Sequence, residues 1–250
     1  MKSILRKYKL LLAILAIVFI ASCAKKIDTT PEFQLDGSQP LKSLDEADFV
    51  LKGSYNSFLG GGYFNSIPTL NSPQVLQPAS FSGLPDMMSD DLVETFEDFP
   101  NYKKSSEWTY TADDINVQIT FANCYNVISG VNIILRDIDA LTSEDTERAN
   151  DIKAQALTIR AMVHFDLLRY FALDLSRNAT TAGIAYVKTY DVIAKPARLS
   201  VKESYDNIFT DINDAISAFE SASASTGDLS RIDQNVAYAL LARTSLYAGL

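Results

Sequence analysis

The sequence predicts an all-α-dominated domain of antiparallel helical pairs with long inserted loops. Three observations carry this. Apolar residues recur at three- and four-residue spacing along five stretches between Leu44 and Leu246. Residues that cap helix N-termini, Ser43, Thr111, Ser200 and Asp233, stand at the head of four of them. All eight prolines fall outside those stretches, where they end or prevent helices rather than kink them.

The chain opens with a basic start (Lys2, Arg6, Lys7, Lys9) and an apolar run from Leu10 to Ala21, too short to span a bilayer. The run ends in Ile20-Ala21-Ser22-Cys23, which resembles the lipobox of a bacterial lipoprotein. That resemblance implies cleavage after residue 22 and acylation of Cys23, with a plain secretory signal and an incidental cysteine as the alternative. Residues 1–22 are expected to be a lipoprotein signal peptide. Residues 23–42, polar and interrupted by Pro31 and Pro40, are expected to be a lipidated flexible tether.

The helical domain is predicted over residues 43–250. Ser43-Leu-Asp-Glu46 forms a capping box, and Leu44, Ala47, Leu51, Tyr55 and Phe58 then share one helical face until Gly60-Gly61-Gly62. From Tyr63 to Glu107 there is no sustained period, and Pro68, Pro73, Pro78, Pro85 and Pro100 rule out a long helix. Thr111 caps a helix marked by Ile115, Ile119, Ala122, Ile133 and Leu141. A second helix follows Ser143 through Ile152, Ile159, Val163 and Leu167 to about Ala172, and the short connection makes the two antiparallel. A loop runs from Asp174 to Leu199. Ser200-Val-Lys-Glu203 opens another helix through Ile208, Ile212 and Phe219, and Asp233 opens a last one through Val236, Leu240 and Leu246. Those two helices start 33 residues apart, close to the tetratricopeptide period, so the pairs are tetratricopeptide-like. The sequence stops at Leu250 within a helical turn without a closing cap, which predicts that the array continues.

Composition narrows the chemistry. The chain carries 22 basic and 31 acidic residues, a net charge of −9. Residues 1–22 hold four basic residues and no acidic ones, leaving −13 on the remainder, a surface that repels nucleic acid and anionic headgroups. After Cys23 only Cys124 remains, which excludes an intramolecular disulfide and a cysteine metal centre. Its neighbours Phe121, Tyr125 and Ile128 mark it as a buried hydrophobe. His164 is the single histidine. Asp166, two positions on, points elsewhere on a helix, so no Ser-His-Asp or Cys-His set forms locally. No enzyme activity, cofactor or metal is expected. Arg160, Arg169 and Arg243 lie on largely apolar helices and should pair with carboxylates or carbonyls at helix contacts.

Residues 63–107 are the candidate binding segment, because a long aperiodic insertion in a packed domain is more often functional than filler. It carries Tyr63, Phe64, Phe81, Phe96, Phe99 and Tyr102, and the acidic run Asp86, Asp90, Asp91, Glu94, Glu97 and Asp98, which lacks the alternation and central glycine of a calcium loop. The aromatics either pin the loop to the core or face outward as a platform. Tyr63 and Tyr102 are the favoured ligand residues, followed by Phe64 and Phe81, since a phenol stacks on a ring while its hydroxyl stays wet.

Four stretches, in order, resemble the SusD/RagB family. Arg160-Ala161-Met-Val-His164-Phe165-Asp166-Leu167-Leu168-Arg169-Tyr-Phe171 is similar to its RA-x-x-x-F-D-L-x-R-x-F core. Trp108-Thr-Tyr110 with Tyr125, Ile128 and Asn132 is similar to its Trp…Tyr-x-x-I-x-x-x-N helix. Pro196-Ala-Arg198-Leu-Ser200 through Glu203, Tyr205, Ile208, Asp211 and Ala215 resembles its P-R-x-S-x-x-E-x-Y-x-x-I-x-x-D-L-x-x-A stretch, with one residue inserted before the arginine. Ala237-Tyr-Ala-Leu240-Leu241-Ala242-Arg243-Thr-Ser-Leu246-Tyr247 resembles its A-x-A-L-L-A-R-x-x-L-Y helix. Where the family has glycine and proline after the Arg160 helix, this chain has Ala172-Leu-Asp-Leu-Ser, with Gly183-Ile184 as the displaced equivalent. Lys25 and Lys26 stand where many surface lipoproteins carry acidic residues. The resemblance implies a non-enzymatic, lipid-anchored outer-membrane protein facing the cell exterior. It would bind oligosaccharide, or in some members peptide, and pass it to a SusC-like TonB-dependent transporter. A non-binding helical-repeat scaffold of the outer membrane is the alternative. A surface hydrolase is a third reading, disfavoured by the missing catalytic set.

Overall fold

The computed structural model describes residues 37–60, 63, 68–69, 72–76, 80–93, 102–222 and 228–250. The chain divides into two units, residues 1–39 and residues 40–250, and the second contains the helical domain. Cys23, Phe64, Phe96, Phe99 and the acidic residues Glu94, Glu97 and Asp98 lie outside the described residues.

Seven α-helices are present among the described residues: α1 (Leu44–Gly60), α2 (Leu84–Met87), α3 (Lys103–Ser106), α4 (Ile115–Asp137), α5 (Thr146–Phe171), α6 (Val201–Glu220) and α7 (Gln234–Ala248). A 3-10 turn, Ile138–Leu141, extends α4, and two short antiparallel strands, β1 (Pro68–Thr69) and β2 (Ser72–Leu76), lie in the first insertion. The helix-dominated class expected from periodicity is what is found.

The long helices follow one another antiparallel, as the polar links between their ends show. The Leu41 N–H just before α1 donates to Asp137 at the end of α4 (2.8 Å). Lys153 near the start of α5 pairs with Asp139 in the turn that ends α4 (2.7 Å), and Tyr205 near the start of α6 donates to the Leu175 carbonyl just past α5 (3.1 Å). Helix α5 is the central element. From Ala154 to Ala161 every residue is buried, because α4 and α6 cover two sides and α1 and α7 lean on others. Leu51, Ile128, Val131, Ile134, Ile159, Val163, Leu167, Ile208 and Ile212 meet in one core, all at or near zero exposure. Each buried large aliphatic contributes about 1.5–3 kcal/mol relative to exposure.

The caps were largely legible, with local corrections. At α6 the full box forms: Ser200 accepts from the Glu203 N–H, and Glu203 accepts from the Ser200 N–H (2.9 Å). At α1 Ser43 accepts from the Glu46 N–H (3.2 Å), but Glu46 reaches one residue further back, to the Lys42 N–H (2.6 Å). Thr111 does not cap α4. Its carbonyl accepts from the Asp114 N–H in a turn, which leaves the Asp114 carboxylate to accept from the Asn116 N–H (2.9 Å) as the cap. Asp145, two residues past Ser143, caps α5, and Asp233 caps α7. Helix α7 does close, through Gly249 at φ 71°, a left-handed position glycine adopts without strain.

The second insertion, between α5 and α6, is tied at its base. Gly183 donates to the Leu199 carbonyl (2.7 Å) and Leu199 to the Ile184 carbonyl (2.8 Å). Arg198 donates to the Gly183 carbonyl (2.6 Å) and to the Phe171 carbonyl at the end of α5 (2.7 Å), satisfying an acceptor the helix leaves free. Gly183-Ile184 is thus the closing pair of this loop. Among the described residues no helix is long and apolar enough to cross a membrane, and no group of three or more His, Cys, Asp or Glu could hold a metal ion.

Candidate functional site

The loop aromatics divide into two groups. Tyr63 has 0% exposure. Its ring stands edge-on to Phe58 (4.9 Å between centroids) and against Phe81 (4.4 Å), and Phe81 stands edge-on to Tyr170 of α5 (4.7 Å). The Tyr63 hydroxyl donates to Asp166 (2.5 Å), and burial, aided by that carboxylate, pushes its pKa well up. The expectation of Tyr63 as an outward platform is therefore corrected: the loop folds inward here and uses Tyr63 to satisfy a buried carboxylate. Phe81 is half-buried in the same stack. Ser80, also buried, accepts from the Thr120 hydroxyl of α4 (2.8 Å) and fixes the loop to the helix. Tyr102 is half-buried immediately before α3. Phe64 lies outside the described residues.

The aromatic surface lies just beyond the loop. Trp108 is 64% exposed and Tyr110 is 37% exposed, with ring centroids 6.4 Å apart. Trp108 sits where a helix terminates. Thr109 N–H donates to the Lys104 carbonyl (2.9 Å) and Trp108 N–H to the Ser105 carbonyl (3.2 Å), the paired bonds of a Schellman ending to α3. That ending puts Trp108 at φ 56°, a left-handed backbone position normally held by glycine. A non-glycine residue there costs about 1–3 kcal/mol, and such strain gathers at functional sites. Beside Tyr110 opens a cleft of about 140 Å³ between the first insertion and the helices, lined by Ser105, Tyr110, Thr120, Tyr170 and Phe171 among others. Phe121, 45% exposed, continues the surface, packing edge-on to Phe171 (5.2 Å). The arrangement offers flat apolar faces to a ligand ring, with the partly exposed Tyr110 at the margin. In sequence, Trp108-Thr-Tyr110 reads only as part of a family motif. The signal that could have marked it as a surface is that the chain's single tryptophan occupies a helix ending with no glycine.

The arginines Arg160 and Arg169 and the histidine are structural. Arg160 donates through Nε and Nη2 to both oxygens of Asp211 (2.6 and 2.7 Å) and through Nη1 to Asn132 (3.0 Å). Burial works to lower its pKa, and the Asp211 hydrogen bonds and charge outweigh it, so the net shift is upward. Tyr186 donates to the same Asp211 (2.5 Å) and stacks on His164 (3.8 Å, 17° between planes). Arg169 pairs with Asp166 and lies over the rings of Phe165, Tyr170 and Tyr247. Arg243 departs from expectation: it lies on an exposed face of α7, with no carboxylate within 4.0 Å among the described residues. Cys124 is a fully buried free thiol whose pKa burial pushes up.

The architecture is a scaffold of antiparallel helical pairs with inserted loops and an exposed aromatic face. The chain belongs to the SusD-like family: residues 79–246 match the model of a SusD-like family described as starch-binding associating with outer membrane. Solved structures agree on the fold. A SusD superfamily protein from Bacteroides thetaiotaomicron is 23% identical, with a TM-score of 0.65 over 83% of this chain and 43% of its own. A SusD-like carbohydrate binding protein from Bacteroides vulgatus is 25% identical, with a TM-score of 0.63 over 84% of this chain and 42% of its own. A laminarin binding SusD-like protein is 18% identical, with a TM-score of 0.62 over 84% of this chain and 41% of its own. The chain thus spans less than half the length of these structures. No curated protein sequence matches it.

Proposed function

We propose that this chain binds oligosaccharide at the outer membrane through the Trp108–Tyr110 face, without chemical turnover, and serves a SusC-like TonB-dependent transporter. It is held to the membrane by acylated Cys23, with residues 1–22 removed as a signal peptide, residues 23–42 as tether and the helical domain facing the cell exterior. The family description and the glycan-binding neighbours support the ligand class. The single observation that carries the site is an exposed tryptophan held in a backbone position that favours glycine. Sugar rings present a face of C–H groups that stacks on such a surface, while the Tyr110 hydroxyl is placed to take a polar contact. Tyr102 and Phe81 belong to the adjoining insertion.

The test is calorimetric titration of the full chain with starch- and laminarin-derived oligosaccharides, for wild type and Trp108→Gly. Loss of an anchoring aromatic costs about 2 kcal/mol, roughly 30-fold in affinity. Trp108→Gly should therefore bind roughly 30-fold more weakly while its thermal stability holds or rises, since glycine relieves the left-handed strain. Unchanged affinity of Trp108→Gly would remove the site, and no glycan binding by wild type would favour the scaffold reading. Separately, Cys23→Ala should leave the protein unprocessed or free of membranes.

A further inference from the structure

A second cleft lies at the other end of the α4–α5 pair, well apart in sequence from Trp108. Its volume is about 310 Å³, and it is formed by the last turn of α4, the stretch of α5 from Lys153 to Arg160 and residues 188–190 of the second insertion. Volumes of about 300–1,000 Å³ hold small-molecule ligands, so this one suits a single ring. Leu135 and Leu157 supply an apolar wall, and four cations, Arg136, Lys153, Arg160 and Lys188, surround it. In a chain of net charge −9 this concentration of positive charge is unusual.

The cations are not equivalent. Arg136 is paired with Asp137 (2.7 Å), Lys153 with Asp139 (2.7 Å) and Arg160 with Asp211 (2.6 Å). Lys188 is exposed, and no carboxylate lies within 4.0 Å of its ammonium among the described residues. Four cations against three paired carboxylates leave the cleft one positive charge in excess. The backbone that carries Lys188 is held on both sides. Asn132 Nδ2 donates to the Val187 carbonyl (3.0 Å) and reaches the Thr189 carbonyl (3.5 Å), and the Val187 N–H donates to His164 Nε2 (3.0 Å). The ammonium rests 5.6 Å from the centroid of the Tyr186 ring, itself fixed by Asp211. The charge is pre-positioned on rigid structure, which lowers the ordering cost of binding.

We propose that this cleft is an oxyanion subsite for an acidic sugar, with Lys188 contacting the carboxylate or sulfate and the ring lying against Leu135 and Leu157. The choice of a sugar rests on the glycan reading above; the requirement for negative charge does not. Calorimetry on the full chain would compare glucuronate, glucose 6-sulfate and glucose, for wild type, Lys188→Met and Lys188→Arg. Wild type should bind one or both acidic sugars at least about tenfold more tightly than glucose, and the preference should weaken as salt is raised. Lys188→Met should abolish the preference without a change in melting temperature, and Lys188→Arg should keep it. Glucuronate binding alone identifies the carboxylate as the ligand, and glucose 6-sulfate binding alone the sulfate. Equal binding of glucose, undiminished acid binding by Lys188→Met, or no binding of either acid would overturn the proposal. Trp108→Gly separates the two sites. Neutral-glycan binding that depends on Trp108, with no acid-sugar binding, sinks this inference alone, and the reverse pattern sinks only the aromatic site.

Discussion

His164 makes folding stability depend on pH in a window that few other groups share. Its ring is fully buried, its Nδ1–H donates to the Arg160 carbonyl (2.9 Å) and its Nε2 accepts from the Val187 N–H (3.0 Å). Both nitrogens are satisfied only by the neutral ring. Burial lowers its pKa from 6.5 to about 3, helped by the Arg160 and Lys188 charges and opposed by the Arg160 carbonyl and Asp211. A folded pKa below the unfolded one means that the unfolded chain takes up the proton first. The stabilisation is present in full above the unfolded value and drains away as pH falls from about 6.5 toward 3. At about 1.4 kcal/mol per pH unit, the loss between pH 7 and pH 5 is about 2 kcal/mol, or about 4–8 °C in melting temperature for a domain of this size. The histidine is unique in the chain, and Asp48, Asp137 and Asp206 are held below the usual 3.8, so their own losses fall mainly at lower pH. Asp151, raised by burial, works in the opposite sense. Urea unfolding at half-unit pH steps measures the slope, and His164→Gln should flatten it between pH 5 and 6.5 whatever its effect on absolute stability. Imidazole proton shifts in the folded protein should stay constant down to about pH 4. A wild-type slope equal to that of His164→Gln, or an imidazole titrating near 6.5, would refute the reasoning.

Two further substitutions probe the same frame. Arg160→Leu leaves Asp211 buried with the Tyr186 hydroxyl in place of a bidentate cation, and should destabilise by about 3–5 kcal/mol in chemical denaturation; an unchanged melting temperature with ligand affinity lost would instead make Arg160 a binding residue. Gly183→Ala would put a methyl group 2.8 Å from the Ser200 carbonyl oxygen and against the Ser204 hydroxyl, so the loop base must shift at about 1–3 kcal/mol; stability equal to wild type would show that it gives freely.

Helix positions were legible because periodic apolar spacing and capping chemistry are local. Leu44 to Phe58, Ile152 to Leu167 and Tyr205 to Ile212 each announce a buried face within one stretch of chain, and all three faces are buried. The partners of the buried polar groups were not legible. Arg160 required a carboxylate, yet nothing within its own helix identifies Asp211, 51 positions on, or Asn132, 28 positions back. The aromatic insertion failed for a related reason. Tyr63 and Tyr102 present the same chemistry in sequence, and only the position of Asp166 after folding decides that Tyr63 turns inward. Trp108 was missed because its exposure comes from a backbone conformation, φ 56°, that residue type argues against.

The polar core and the two clefts are parts of one construction. Asn132, Arg160 and Asp211 come from three separate sequence motifs on α4, α5 and α6, and together they fasten the three helices to one another. Asn132 and His164 then pass the same rigidity to residues 187–189 of the second insertion, which places Lys188. Further along α5, Asp166 takes the Tyr63 hydroxyl and the Arg169 guanidinium, and so holds the first insertion near the surface that carries Tyr110 and Phe121. Each insertion is thus anchored by a buried polar residue of α5, while the residues proposed to meet a ligand, Trp108 and Lys188, lie outside the core. Such a division lets binding residues change with ligand while the helix pairs stay fixed. It also predicts which substitutions separate the two roles: changes at Trp108 and Lys188 should alter affinity without loss of stability, and changes at Arg160, Asp166 and Asp211 should lower stability.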